Sequence, residues 1–512
     1  MNHGRDRSEV TSLDTSTAAS AGGGPRVEVA ARQFTGDDQH LFATLSGDSN
    51  PMHLDEDVAR LTPAGARAVH GVHTVLWTLE TLAAREDALS DLAALQVKFS
   101  NFAVVGQNVT LALRNAKDGS AKIEVISDGL ALTSVTLKFG ARASVARPSR
   151  GNPTPLPMPA TPLDPAFETM RDFHAWLQPA APLSAFDSAF PLLSRALGPE
   201  RVRALALLSS LVGMVCPGMH SIFSEFTAEI MEIDQSRPGM EVWTRSVDTR
   251  FRRVSMGFAG SGLMGEVSAL YRFPPIESSL ATISTLVDPT EFAGRLALVV
   301  GGSRGLGAAT AKLIVAGGGK AVITFARGVR QAEGICRELN SRYGAGRCSA
   351  MQFEVGLTPE AALADAGGPF THIYYFATPQ IFRPATELFS MSDFVAFNRV
   401  YVEAFYNLIA ALPPLPGRSV CYPSSVAVEK RPKKMTAYAM AKAAGEILCE
   451  DLQRSIPGLT IRAPRLPRIL TDQTAVVPPV EAADAVEVML AFLRAETAVA
   501  PPAGHIDNKE GQ

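Results

Sequence analysis

The stretch Leu296–Ile314, LALVVGGSRGLGAATAKLI, constrains the fold of this 512-residue chain more than any other. Five apolar residues lead into glycines at 301, 305 and 307 and then into a helix-forming run, so a strand enters a tight turn that opens a helix. Glycines at that G-x-x-x-G-x-G spacing let the backbone approach a pyrophosphate held at a helix N-terminus. Around the loop, RLALVVGG, GAATAKLIVAGG, KAVITFAR and QAEGICRELNSRY alternate strand and helix. Residues 290–500 are therefore expected to form a doubly wound parallel sheet with helices on both faces. Gly301, Ser303, Arg304, Gly305, Leu306 and Gly307 are the candidate cofactor contacts of the loop.

The rest of the chain is divided by breaks in composition. Residues 1–27, rich in Ser, Thr, Gly and Asp, read as a flexible tail, and 501–512 as another. The proline density of Ala146–Pro165 suits an extended linker and excludes a helix or central strand. A further linker is expected at 276–289. Residues 28–145 open with a helix whose Thr35 and Asp38 match a capping box. A second helical run, HGVHTVLWTLETLAARED, follows. The alternating segments LQVKFSNFAV, NVTLALRNA, AKIEVISDG and ALTSVTLKFG come next, with the period of antiparallel strands. Residues 166–275 repeat that order, with helical RVRALALLSSLVGM and HSIFSEFTAEIM before strand-like EVWTRSVDTRFRRVSMGFAG and LMGEVSALYRF. The two blocks read as degenerate copies of one α+β fold, giving three folded units with the parallel sheet.

Composition bounds the functions available. Hydrophobic residues at 46% and charged residues at 19% allow sizeable cores, and a net charge of -3 offers no basic footprint for nucleic acid. Five scattered cysteines without C-x-x-C spacing read as reduced thiols. The N-terminus lacks a signal-peptide core, and no apolar run reaches the ~18 residues of a membrane span. A cytoplasmic protein without membrane or nucleic-acid partners is expected.

Two motifs carry chemistry. In LSGDSNPMHLD, Leu45–Asp55, an aspartate, an asparagine and a histidine crowd six positions around a proline. Taken singly, Asp48 and Asn50 also suit a hydrogen-bonded turn, and His53 a helix cap. The run Ser46, Gly47, Asp48, Asn50, Pro51, His53, Asp55, followed by AVHGVHT, resembles MaoC-like, R-specific enoyl-thioester hydratases and dehydratases of the hot-dog fold. That resemblance implies Asp48 and His53 as an acid/base pair and Asn50 as the group that orients them. It also implies the Gly71 backbone N–H as the donor to a thioester oxyanion, and His70 as part of the surrounding turn. The second block lacks the motif, and its His220 stands at what reads as a comparable helix start. A double hot dog with one active half is expected. Cys216 could act as a nucleophile, but a buried structural thiol is the simpler reading.

The second motif is CYPSSVAVEKRPKKMTAYAMAKAAGE, with Ser425, Tyr438 and Lys442. The step of four from Tyr438 to Lys442 puts both on one helical face, where an ammonium can lower the phenol's pKa. Together with Asn398 and the glycine loop, these residues resemble the short-chain dehydrogenase/reductase family, a Rossmann fold. The resemblance implies Ser425 on the substrate carbonyl, Tyr438 as proton donor, Lys442 on the nicotinamide ribose and Asn398 behind Lys442. It also implies Thr471 in the loop beside the nicotinamide, and dimers or tetramers. Three positions depart from the family pattern: Val300 for the usual Thr, Glu354 where an Asp meets the adenine, and YYFATPQ for NNAG. Arg304 and Arg327, with no Asp after the second strand, favour NADP(H) over NAD(H) by their charge at the ribose 2′ position.

The expected protein is thus an α+β double hot dog followed by an α/β Rossmann fold. Its expected activity is that of a bifunctional 3-oxoacyl-thioester reductase and (R)-3-hydroxyacyl-thioester dehydratase in polyketide or specialised fatty-acid synthesis. The acyl group would ride on coenzyme A or an acyl carrier protein. The alternatives are a catabolic hydratase/dehydrogenase and a reductase bearing a non-catalytic acyl-binding module. No metal is expected.

Overall fold

The computed structural model describes residues 26–85, 88–117, 119–142, 152–233, 238–354, 363, 366–382, 388–475 and 477–499. Nearly all of the expected tails 1–27 and 501–512, and residues 146–151 of the expected linker, lie outside these. The chain forms two compact units rather than three, one built mainly from residues up to Pro274 and the other from Pro275 onward.

In the first unit the predicted capping box forms. The Thr35 hydroxyl accepts from the Asp38 N–H at 3.1 Å, and the Asp38 carboxylate accepts from the Thr35 N–H at 2.7 Å. The first half comprises β1 (Val27–Gln33), β2 (Leu92–Phe99), β3 (Asn108–Lys117), β4 (Ser120–Ser127) and β5 (Leu130–Phe139). The second comprises β6 (Thr154–Leu156), β7 (His174–Leu177), β8 (Ser221–Ile230), β9 (Met240–Asp248), β10 (Arg253–Gly260) and β11 (Leu263–Tyr271). All lie in one sheet, ordered β1-β3-β4-β5-β2-β8-β11-β10-β9-β7-β6. Outward from the seam, β2-β5-β4-β3-β1 and β8-β11-β10-β9-β7 follow the same order, with β6 added at the end of the second half, and antiparallel pairing of β2 with β8 (Val97 opposite Phe226) fuses them. That pairing is why two blocks make one unit.

Each half wraps a central helix, Gly71–Ala83 in the first and Pro199–Ser210 in the second. Val72, Val75, Leu76 and Leu79 of the first, and Val202, Leu205, Ala206 and Leu208 of the second, are fully buried. Two expectations are corrected here. HSIFSEFTAEIM is strand β8, not helix: Phe226, Ala228 and Ile230 are buried while Thr227 and Glu229 are exposed, a period of two. The described part of the Pro-rich segment is pinned rather than free, because β6 forms the edge of the sheet in parallel pairing with β7 and the Leu163 N–H bonds the Met214 carbonyl at 2.8 Å.

The second unit carries β12 (Leu296–Val300), β13 (Lys320–Phe325), β14 (Cys348–Gln352), β15 (His372–Tyr375), β16 (Ser419–Cys421) and β18 (Thr460–Arg462) in the order β14-β13-β12-β15-β16-β18. Every pairing is parallel. The order reverses between β12 and β15, the switch point where open α/β sheets bind ligands. A two-stranded pair, β17 (Ser424–Ser425) with β19 (Arg465–Leu466), extends from the same end. The expected linker 276–289 instead contains a helix, Leu280–Leu286, capped by Ser279 and anchored by buried Leu280 and Ile283.

Candidate functional sites

In the first unit, the helix Gly36–Ser46 ends at Gly47 in the left-handed conformation (φ 81°), where a Cβ would lie 2.9 Å from both Ala180 and Met158. The chain then turns into the short helix Pro51–Leu54. Asn50 caps it, its Oδ1 accepting from the Met52 N–H at 3.1 Å. The Asn50 amide also donates to the carbonyls of Gly213 (2.8 Å) and Gly218 (3.3 Å) in the second half. Asn50 thus serves the turn, as its residue type suggested, and also ties it to the second half.

Asp48 is 2% exposed. One carboxylate oxygen accepts from the Ser209 hydroxyl at 2.6 Å and the other from the Asn50 N–H at 3.2 Å. The His53 Nδ1 bonds the Ala68 carbonyl at 2.8 Å, which assigns the ring proton to Nδ1 and leaves Nε2 for chemistry. The His53 and His70 rings stack with centroids 3.8 Å apart. His70 does more than belong to the turn: its Nε2 bonds the Asp48 carbonyl (3.0 Å) and its Nδ1 the Gln39 Oε1 (2.9 Å). Potential ligand atoms of Asp48, His53 and His70 all lie within 4.8 Å of one another.

Burial pushes the Asp48 carboxyl up, opposed by His53, Ser209 and Asn50. Burial pushes His53 down, opposed by Asp48 and the Ala68 carbonyl. The two groups are driven toward each other's proton affinity, which suits a pair that must both take and give one. Gly71 is the first residue of the first central helix, so its N–H has no partner within that helix. A Cβ there would fall 2.8 Å from the Phe99 ring.

The second half differs at each of these points. Its central helix begins with Pro199, which has no N–H to offer. His220 does not stand at a helix start; it immediately precedes β8, buried, with Nε2 3.7 Å from the Asp164 carboxylate. Cys216 is buried, and burial raises its thiol to about 12, as for an inert structural cysteine. Ser209, Gly213 and Gln39, which touch the first site, escaped the sequence reading. Ser209 is 161 positions from Asp48, and no local spacing signals the contact.

In the second unit the glycine loop follows β12 at the switch point. Gly301 and Gly305 have φ of 79° and 54°, and a Cβ on Gly307 would meet the Gly301 carbonyl at 2.3 Å. Only glycine keeps this backbone closed, which fits the loop to a dinucleotide pyrophosphate. Thr471 lies beside it, 3.5 Å from where a Gly305 Cβ would be. Arg304 caps the helix Gly305–Ala316; burial lowers its pKa, Asp472 opposes that, and Arg327 adds to it. The two guanidiniums are thus close enough to repel, and Arg304 also has an acidic neighbour. Arg327 and Glu354 are exposed.

Ser425 follows β16 on the short strand β17, and its Oγ accepts from the Ala427 N–H at 3.1 Å. Tyr438 and Lys442 lie on the helix Thr436–Ser455, which packs closely because Gly445 admits the Tyr422 hydroxyl. Burial pushes the Tyr438 phenol up, and a hydrogen bond from Ser425 opposes it. Lys442 is itself buried on that helix. Its ammonium donates to the Pro423 carbonyl at 2.7 Å and lies 3.8 Å from the Tyr401 ring centroid, and burial lowers its pKa to about 7. Asn398 ends the helix Met391–Asn398, its amide donating to the Phe394 carbonyl at 2.9 Å, just before a π-helical turn at Arg399–Glu403.

All five cysteines are buried and free. Among the described residues, no helix is long and apolar enough to cross a membrane.

Comparison with known proteins matches both units. Residues 17–135 match the family model described as a MaoC like domain, and residues 295–472 match the model for short chain dehydrogenase. Over 47 residues the chain is 40% identical to the 3-hydroxybutyryl-CoA dehydratase of Methylorubrum extorquens, a stretch covering 9% of this chain and 30% of that protein. Similar solved structures include a dehydrogenase/reductase from Sinorhizobium meliloti 1021 (20% identity, 43% of this chain and 92% of that one, TM-score 0.35). Another is a short chain dehydrogenase from Burkholderia cenocepacia J2315 in complex with NADP (22% identity, 40% and 91%, TM-score 0.35). The chain therefore joins a MaoC like domain to a short chain dehydrogenase domain in one polypeptide.

Proposed function

We propose that this protein is a bifunctional enzyme that reduces a 3-oxoacyl thioester with NADPH and dehydrates the (R)-3-hydroxyacyl product to a trans-2-enoyl thioester. The carrying observation is the buried Asp48–His53 pair with the unpartnered helix-start N–H of Gly71 beside it in sequence to His70, joined in one chain to Ser425, Tyr438 and Lys442. In the dehydration, one member of the pair removes the C2 proton. The other returns a proton to the C3 oxygen, which leaves as water, while the Gly71 N–H receives the negative charge that builds on the thioester oxygen. Asn50 holds the turn that presents them.

In the reduction, Ser425 holds the C3 carbonyl and Tyr438 gives its phenolic proton to that oxygen. The nicotinamide, when bound, supplies the hydride. The residues to hold the dinucleotide are Gly301, Ser303, Gly305, Leu306 and Gly307 at the pyrophosphate, with Lys442 and Thr471 toward the nicotinamide, Asn398 behind Lys442 and Glu354 toward the adenine. Because Arg304 has Asp472 as a neighbour, the preference for NADP(H) rests chiefly on exposed Arg327. We read the two halves of the first unit as copies of one hot-dog fold, of which only the first is catalytic. The acyl group is carried on coenzyme A or a carrier protein.

The test supplies the intact chain with a crotonyl thioester, and separately with an acetoacetyl thioester and NADPH. The proposal expects hydration in the first case and NADPH oxidation in the second. Failure of hydration leaves the reductase with a non-catalytic acyl-binding module, and strict preference for NAD would favour the catabolic direction.

A further inference from the structure

The second half of the first unit lacks the Asp48–His53 motif, and its central helix starts at a proline with no N–H, yet this half touches the first half's carboxylate from two sides. Ser209, near the end of the second central helix, donates to Asp48 Oδ2 at 2.6 Å. The helix then widens into a π turn, Leu211–Val215, in which the Cys216 N–H reaches back to the Leu211 carbonyl at 2.8 Å. That turn brings Gly213 so close that a Cβ on it would fall 2.4 and 2.6 Å from the two Asp48 oxygens. Its carbonyl accepts from the Asn50 amide at 2.8 Å. π turns are rare and frequently mark functional positions.

We propose that residues 209–213 are the positioning wall of the dehydratase site, with Ser209 fixing the orientation of the Asp48 carboxylate and Gly213 leaving just enough room for it. This rests on the dehydratase reading of Asp48. The degenerate half is then more than a scaffold: it supplies the fixed side of a site whose reacting groups come from the other half. Asp48 itself faces Ser209, the Asn50 N–H, the Gly213 backbone and His53, with the His70 ring on its carbonyl. Of these, His53 and His70 are the titratable groups, and both remain in a Ser209 variant.

The test is the pH dependence of crotonyl-thioester hydration by the intact chain carrying Ser209→Ala, Ser209→Thr or Gly213→Ala, with thermal unfolding measured for each. Loss of the Ser209 donor disfavours the carboxylate form. The acid limb of kcat/KM should therefore move up by about one pH unit in Ser209→Ala, the size of a lost hydrogen bond to a charged group. Its kcat should fall about tenfold with KM little changed. Ser209→Thr, which keeps the hydroxyl, should restore both. Gly213→Ala should lower kcat at least as much as Ser209→Ala. An unshifted pH profile in folded Ser209→Ala overturns the proposal, and if that variant does not fold, a Ser209→Thr profile unlike the parent's does the same. If the unaltered chain hydrates nothing, the dehydratase reading itself has failed.

Discussion

The two halves of the eleven-stranded sheet share a strand order and a buried central helix, yet they differ at the helix start. One begins with Gly71, whose N–H is open; the other begins with Pro199, which has none. The lesson is that the architecture alone does not make the site. On the reading proposed above, a helix-start amide becomes useful only beside an acid and a histidine, and the Asp48–His53 motif stands in the half whose central helix starts with Gly71. The half without them keeps a part in the site through Ser209 and Gly213.

Making the first half resemble the second is the sharpest way to break this comparison. Gly71→Pro removes the N–H while proline remains acceptable at a first helical position, and His70 already has the extended ψ of 123° that precedes proline. Hydration should fall about 10²- to 10³-fold, the usual cost of losing an oxyanion donor. Gly71→Ala meets the Phe99 ring but keeps the N–H, so kinetics of the two variants side by side separate crowding from the lost amide. Equal losses would deny the amide its role.

A smaller effect is expected where the second half matters for packing alone. In Gly257→Ala the new Cβ meets the Trp243 ring at 2.4 Å. Such overpacking destabilises by about 1–3 kcal/mol, visible as a lower melting temperature. The pH profile of hydration should be unmoved, unlike that of Ser209→Ala. The smallest effect belongs to Pro199→Ala, which restores an N–H to a half that lacks the Asp48–His53 motif. No gain in hydration rate is expected, and calorimetry should register a loss of stability of at most about 1 kcal/mol.

What the sequence made legible follows from how local each signal is. The strands of residues 92–139 carry apolar residues at alternate positions over local stretches such as Leu95, Val97 and Phe99 or Ala121, Ile123 and Val125, so their period identified them. HSIFSEFTAEIM misled because a short run with apolar residues at 222, 223, 226 and 230 also satisfies a helical spacing; only its pairing with β2 and β11 makes it a strand. The Pro-rich segment misled because proline excludes a central strand but not an edge one, and β6 is at the edge. Asp48, Asn50 and His53 were legible because they lie within six positions. Ser209 and Gly213 were not, because their nearness to Asp48 exists only once two halves share a sheet. Lys442 shows the opposite limit. Its helical spacing from Tyr438 is right, but the Pro423 carbonyl and the Tyr401 ring, invisible in the spacing, take its ammonium.

The central claim, two consecutive reactions in one chain, is tested most directly by following a 3-oxoacyl thioester and NADPH to product with the unaltered protein, Tyr438→Phe and Asp48→Ala. The unaltered chain should oxidise NADPH and then form the enoyl thioester. Tyr438→Phe should lose NADPH oxidation by about 10²- to 10⁴-fold yet still hydrate a supplied enoyl thioester, while Asp48→Ala should oxidise NADPH normally and stop at the hydroxyacyl stage. If both variants turn over like the unaltered chain, the account is contradicted.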